Sequence, residues 1–365
     1  MKLSLLALFA VCCTSGAHAQ GQKWTFVVYG DSRGTNASNN QINTNILAEL
    51  ARATTNISPR PAFALVPGDL VYSGTQSAFQ DWTNIMAPVY QAGIAICPVM
   101  GNHDTASTTG FINVFGPSIP DNGPPGEVNR TYAVTYSNVL VLALDQYVTS
   151  HRVNQTWINA VLATNTSAHV FVMGHEPAFK VNHADCLDDY PSNRDAFWNS
   201  LSNAACRVYF AGHDHFYDHM RLNDQDGDSS NDLHQYIVGT AGAPLYSDAS
   251  YDGANGTWTP TRVLHDKQYG YVVVEVDGYS ATLTWYHRTG VNAYVVTSDV
   301  FSYTLTPTVT SSYTNGTLRL TWSGGGSLQS APYVTGPWTA LTNGTSPCVI
   351  TNLSGLRQFY RVRVR

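Results

Sequence analysis

The stretch Ala62-Phe63-Ala64-Leu65-Val66-Pro67-Gly68-Asp69-Leu70-Val71-Tyr72 decides the fold. Its first five residues are an apolar run of strand length, the pattern of a buried strand. The run ends in Gly68-Asp69, where the backbone must turn sharply as it leaves a sheet. The same device recurs on either side. Residues 24–31 are apolar and β-rich and end in Gly30-Asp31. Residues 94–100 lead into Gly101-Asn102-His103-Asp104. Helical stretches near 41–53 and 77–90 separate the runs. This β–α alternation sets polar residues at the C-terminal edges of strands, where open α/β sheets bind ligands.

The pattern continues along the chain. Residues 132–145 read as a hairpin around Ser137-Asn138, and 156–162 as a short helix. A strand at 169–174 leads into His175. A helix at 193–204 precedes a strand at 207–211, which ends in Gly212-His213-Asp214-His215. Beyond that point helices largely stop. Residues 235–238, 271–276 and 281–286 alternate with period two, as antiparallel strands do. The expected fold is α/β, with two mixed sheets packed face to face and helices outside.

The 365 residues allow one large domain and a small one, and a 43% hydrophobic share supports a sizeable core. The net charge of −6 disfavours nucleic acid or an anionic membrane surface as a standing partner. It does not disfavour a small anionic substrate, because bound metal ions reverse the field locally. Lys2, the short apolar run 3–11 and Ala17-His18-Ala19 together read as a cleavable export leader, with Gln20 first in the mature chain. The domain boundaries follow: leader 1–19, main domain 20–303, linker 304–310 and a C-terminal module 311–365. The expected location is outside the cytoplasm, secreted or periplasmic. No other segment reaches membrane-spanning length.

The C-terminal module reads as short β pieces at 318–322, 338–341, 349–352 and 359–364, and it contains no His, Asp or Glu. It is poorly equipped for metal or acid–base chemistry. It resembles the small β modules, ending in a Phe-Tyr-Arg-Val-Arg type strand, attached to many secreted bacterial proteins. A sorting or spacer role and a plain structural appendage both remain open. Cys97, Cys186, Cys206 and Cys348 outlast the leader, which takes Cys12 and Cys13 with it. Cys186 and Cys206 flank one helix and are the pair expected to bridge.

Five short motifs carry the chemistry: Gly30-Asp31-Ser32-Arg33, Gly68-Asp69-Leu70-Val71-Tyr72, Gly101-Asn102-His103-Asp104, Val172-Met173-Gly174-His175 and Gly212-His213-Asp214-His215. Each presents an oxygen or nitrogen donor directly after a strand. Carboxylates, imidazoles and an amide oxygen suit Fe, Zn or Mn. In this order the motifs resemble the calcineurin-like metallophosphoesterase superfamily and, within it, the purple acid phosphatase branch. The resemblance spans roughly residues 24–286. It implies a four-layer αββα sandwich with two metal ions. One ion would be held by Asp31, Asp69, Tyr72 and His215, and the other by Asp69, Asn102, His175 and His213, with Asp69 bridging. Many members of the superfamily carry a ligating His in the first motif. Here that position is Arg33, which cannot ligate, and Tyr72 is placed to fill the vacancy. A phenolate favours iron(III), so the expected pair is Fe with Zn, Mn or Fe.

What the resemblance implies mechanistically is a secreted phosphomonoesterase. Two ions about 3.5–4 Å apart generate hydroxide near neutral pH and neutralise the phosphate oxygens. His103, beside ligand Asn102, is the expected general acid, with Asp104 orienting a neighbour or capping the turn. His183 and Arg33 are substrate-facing candidates, with a surface salt bridge as the alternative for Arg33; His219 is read as structural or exposed. A phosphodiesterase or nucleotide-cleaving enzyme on the same site is the nearest alternative. A binding or adhesion protein with a decayed site is an alternative of another class. Asp224, Asp226, Asp228 and Asp232 form an acidic loop. It misses the EF-hand template at Ser229 and Gln235, so it reads as a solvated loop, with structural Ca²⁺ as the alternative. The sequence leaves the oligomeric state open.

Overall fold

The structure is a computed structural model and describes residues 23–246, 257–306, 309–322, 327–341, 344, 346–351 and 358–363. The leader, its cleavage point and linker residues 307–308 lie outside these. Strand β1 (Trp24–Val28) is followed by a short hairpin, β2 (Arg33–Asn36) and β3 (Asn40–Ile42), and then by helix α1 (Thr44–Asn56). Asn43 starts α1 by accepting from Ile46 N at 3.3 Å. Strand β4 (Phe63–Val66) leads to α2 (Gln76–Ile85) and α3 (Ala87–Gln91), then to β5 (Ala95–Pro98) and α4 (Thr108–Phe115). The sequence suggests one helix over 77–90. It breaks at Met86 because Pro88 has no N–H to continue the ladder.

The hairpin expected around Ser137 is β6 (Tyr132–Tyr136) and β7 (Val139–Ala143). Helix α5 (Gln155–Thr164), β8 (His169–Met173), α6 (Pro191–Asn203) and β9 (Val208–Ala211) follow. Among the described residues the rest of the main domain has strands and no further helix: β10 (Tyr217–Asn223), β11 (Leu233–Val238), β12 (Thr259–Asp266), β13 (Gly270–Asp277), β14 (Ser280–Gly290) and β15 (Ala293–Thr304).

These strands make two mixed sheets. One runs β15-β14-β13-β1-β4-β5, with β1, β4 and β5 parallel. The other runs β12-β10-β11-β9-β8-β7-β6, with β7, β8, β9 and β11 parallel. Side chains from both inner faces form one core, and Phe26 of β1 meets Phe171 of β8 edge-on at 5.1 Å. The outer face of the second sheet packs Leu142, Val172 and Tyr209 under Phe197, Trp198 and Leu201 of α6. The parallel strands of both sheets therefore deliver their C-terminal ends to one edge of the sandwich, as the layered α/β reading requires.

The C-terminal segment forms two three-stranded sheets. One contains β16 (Val309–Thr314), β17 (Thr317–Trp322) and β20 (Cys348–Ile350). The other contains β18 (Ser327–Ala331), β19 (Thr339–Ala340) and β21 (Phe359–Arg363). A small separate core of Leu320, Trp322, Leu328 and Cys348 holds them.

The bridge expected between Cys186 and Cys206 is not made; both are free and buried. Helix α6 lies between them, thirteen residues long, or about 20 Å at 1.5 Å per residue. Cys186 sits among Glu176, Asp185 and Asp214, and Cys206 beside Arg207. A disulfide needs Cα atoms within about 7 Å. The acidic loop is built from its own side chains. Asp224 is half-buried, Asp226 and Asp228 are exposed, and the three cap the amides of Asp226, Asp228 and Ser230 in successive Asx turns. No helix of the described residues is long and apolar enough to cross a membrane.

Candidate metal centre

Asp31 follows β1, Asp69 follows β4, Asn102 follows β5, His175 follows β8, and His213 and His215 follow β9. The first two motifs are tied by their backbones, Asp31 N to Gly68 O at 3.0 Å and Arg33 N to Asp69 O at 3.1 Å. Three donor residues sit in left-handed backbone: Asp31 (φ 61), Asp69 (φ 50) and His213 (φ 70). That conformation is uncommon outside glycine, and clusters of it mark functional sites. Glycines admit the crowding. A Cβ on Gly101 would stand 2.2 Å from Asp69 Oδ1, and one on Gly212 would stand 2.2 Å from Asp31 Oδ2.

Hydrogen bonds fix the histidine tautomers. His175 Nδ1 lies 2.8 Å from Pro67 O, a carbonyl that only accepts, so Nδ1 carries the proton. The Nε2 lone pair then faces Asp69 Oδ1 at 3.5 Å and Asn102 Oδ1 at 3.1 Å. His215 donates from Nδ1 to Pro244 O at 2.9 Å and points Nε2 at Asp31 Oδ1, 3.7 Å away. His213 donates from Nε2 to Asp185 O at 3.0 Å, which leaves Nδ1 as its ligating atom. Donor atoms of Asp31, Asp69 and His175 all fall within 4.8 Å of one another. Lone pairs converging without a proton between them are what a cation site requires, and the donor set fits borderline-to-hard metal ions.

The electrostatics agree. Burial and the neighbouring Asp69 push the Asp31 carboxyl well up, against the pull of Arg33. At Asp69, burial is outweighed by His175, His103, His213 and Arg33, so it is the acid held low. Burial depresses His175 to about 4 and His215 to about 3, so both are neutral ligands near pH 7.

The remaining candidates surround this centre. Arg33 pairs with Asp69, Nε to Oδ2 at 3.3 Å, and is largely buried; its ion pair is inside the site, not on the surface. The Tyr72 ring lies 5.6 Å from the Arg33 guanidinium and 5.0 Å from the His103 ring. His103 donates its backbone N–H to Asp69 Oδ1 at 3.1 Å, and its Nδ1 meets Tyr72 O at 2.5 Å, which leaves Nε2 outward. Asp104 does not face the centre. Its oxygens accept from the amides of Gly101, Leu70 and Val71, so it is the turn cap that joins the second and third motifs.

His183 packs its ring against His213, tilted with centroids 4.3 Å apart, and bonds from Nδ1 to Asp214 Oδ1 at 2.6 Å. Burial works against protonating it, but Asp214 prevails and raises its pKa. Sequence reasoning missed Asp214 as a partner, although it stands between two ligands in the fifth motif. Asp214 also accepts from the amides of Asn182 and His183, which folds that loop onto the site. Tyr246 was missed too. It follows no motif, and its place is set by the turn after β11.

The sequence profile of the calcineurin-like phosphoesterases matches residues 25–217. The chain belongs to that family, as its motif order implied. No curated protein matches it in sequence. Among solved structures it is similar to the purple acid phosphatase PPD1 from yellow lupin (Lupinus luteus) seeds, with 17% identity and a TM-score of 0.58 over 78% of this chain and 54% of that one. The chain thus spans about half the length of the lupin phosphatase. It is also similar to GAP50, the anchor in the inner membrane complex of Plasmodium, with 14% identity and a TM-score of 0.53 over 78% of this chain and 89% of that one. PhoD is 12% identical with a TM-score of 0.50 over 84% of this chain and 71% of that one. At these identities the likeness is one of fold.

Proposed function

We propose that the protein is an exported phosphomonoesterase with a binuclear metal centre of the purple acid phosphatase type. The observation that carries this is the convergence of donor atoms from the buried Asp31, Asp69, His175 and His215, with exposed Asn102 at the rim, on one space. Asp31, Asp69, Tyr72 and His215 would hold one ion, and Asp69, Asn102, His175 and His213 the other. When bound, the ions supply a hydroxide source near neutral pH and charge to offset the phosphate. Iron at the Tyr72 position, with Zn, Mn or Fe beside it, follows from the phenolate donor.

The chain's own part is to orient the ester and supply a proton. His103 is fixed by its backbone bond to Asp69 and by Tyr72 O, so its outward Nε2 is the group to protonate the leaving oxygen. Arg33 and His183 line the same space and are suited to phosphate oxygens. Export is supported by the leader at 1–19. The separate core of the C-terminal sheets supports treating residues 311–365 as a module of its own.

The purified protein loaded with Fe and Zn should hydrolyse an aryl phosphate monoester faster than a bis-aryl diester. Preference for the diester would move it to the phosphodiesterase alternative. No hydrolysis of either, with two ions bound, would favour a binding protein. A visible absorption band that vanishes in Tyr72→Phe is the expected sign of phenolate bound to iron(III). Full metal content with no such change would remove Tyr72 from the ligand set.

A further inference from the structure

We infer that Tyr246 is a substrate-contacting residue whose hydroxyl donates to a phosphate oxygen at the mouth of the site; this rests on the phosphoesterase reading above. Tyr246 is held in three ways. Its backbone N–H donates to His215 O at 3.1 Å. Its ring stacks on the His215 ring, with centroids 4.3 Å apart and planes 23° apart. Its hydroxyl lies 3.3 Å from His183 Nε2. His183 in turn lies against His213, with centroids 4.3 Å apart and rings tilted by 34°, and is anchored through Nδ1 to Asp214. The hydroxyl therefore belongs to a wall built on His213 and His215, the ligands assigned to different ions. Tyr246 and His183 are half-buried, whereas Asp31, His213 and His215 beneath them are buried, so the wall stands between the centre and solvent.

A hydroxyl in that position meets any anion that enters over the two histidines. It brings a donor without adding charge to a site already crowded with titratable groups. Its ring is pinned before the ligand arrives, so little side-chain entropy is lost on binding. The hydroxyl lies within reach of His183 Nε2, and an arriving phosphate oxygen, a stronger, charge-assisted acceptor, can draw the hydroxyl hydrogen to itself.

The test uses the full chain loaded with metal, comparing wild type with Tyr246→Phe, which keeps the ring stack, and Tyr246→Ala, which loses it. Inorganic phosphate affinity is read by calorimetry, and KM and kcat with an aryl phosphate monoester. The Phe variant should bind the same metal. Its phosphate Kd and monoester KM should each rise about tenfold, the loss of one hydrogen bond to a charged group, with little change in kcat. The Ala variant should fall further. An unchanged phosphate Kd in the Phe variant overturns the inference, even if KM rises, since the hydroxyl would then serve the leaving group. Loss of metal from the Phe variant also overturns it and makes Tyr246 a support of His215. A wild-type protein that hydrolyses no phosphate ester would instead sink the functional reading itself.

Discussion

Two buried polar clusters can be compared within this sandwich. One is the strand-end centre around Asp31 and Asp69. The other lies between the sheets, where Asp299 of β15 accepts from Tyr217 Oη at 2.6 Å and faces His219 Nδ1 at 2.8 Å. His219 Nε2 then meets His234 Nδ1 at 2.7 Å, and His219 stacks on Tyr236 at 4.0 Å. Both clusters are dehydrated and rich in His and Asp. They differ in completion. The inter-sheet cluster has one carboxylate, which already accepts from Tyr217 and His219, and its side chains sit on extended strands that bulge at His219 and Asp299 but keep negative φ. The strand-end centre has two carboxylates side by side, lone pairs facing lone pairs, and left-handed backbone at three donors. Burial of polar groups is therefore a poor guide to function. Unmatched acceptors on strained backbone are a good one.

That contrast can be broken by experiment. The largest effect should come from Asp69→Asn: a loss of about 10²–10³-fold or more in kcat/KM, with fewer ions bound per chain. Asp299→Ala should leave metal content and kcat/KM per folded molecule unchanged. It should cost about 3–5 kcal/mol of stability, read by denaturant titration, because it strands Tyr217 and His219. If Asp299→Ala instead depletes metal, the two clusters are coupled and the comparison fails.

Acid should act on the inter-sheet region through neutral histidines. Burial depresses His234 to about 2, and it depresses His169 to about 4 despite the hydrogen bond to Gly278. An unfolded histidine takes a proton near pH 6.5. The folded protein refuses that proton, so stability is full above pH 6.5 and falls as pH drops toward 4. For the metal-free protein the loss at His169 should be about 1–3 kcal/mol. His169→Gln should flatten that slope, and an unchanged slope would show that His169 is not responsible. The smallest effect sharpens the comparison from the other side. Asp31→Asn should stabilise the metal-free protein by about 1–2 kcal/mol, because it removes a buried like charge while keeping an acceptor for His213 N. A lower melting temperature would show that the acid pair is not a standing cost.

The parts legible in sequence were those where a strand ends on a donor: Asp31, Asp69, Asn102, His175, His213 and His215 all reach one site. Strands with inward polar residues were not legible. In β10, Asp218 and His219 are buried because Arg262, His265 and Asp299 answer them from other strands, so the apolar alternation that marks a strand is absent. The β2–β3 hairpin was hidden likewise, since Arg33-Gly34-Thr35-Asn36 has no apolar face. Asp104 and Asp214 look alike in sequence, each beside a ligand. Only contacts to distant amides separate the cap at the back from the clamp at the front.

The glycines at 101 and 212 carry a further consequence. Each leaves room for the donor of a different motif, far away in the chain. A methyl group added at Gly101 would displace Asp69, and one added at Gly212 would displace Asp31. A change in one motif is thus felt in another, so the motifs cannot drift singly. Evolution would have to inherit them as a block, or lose the centre in one step.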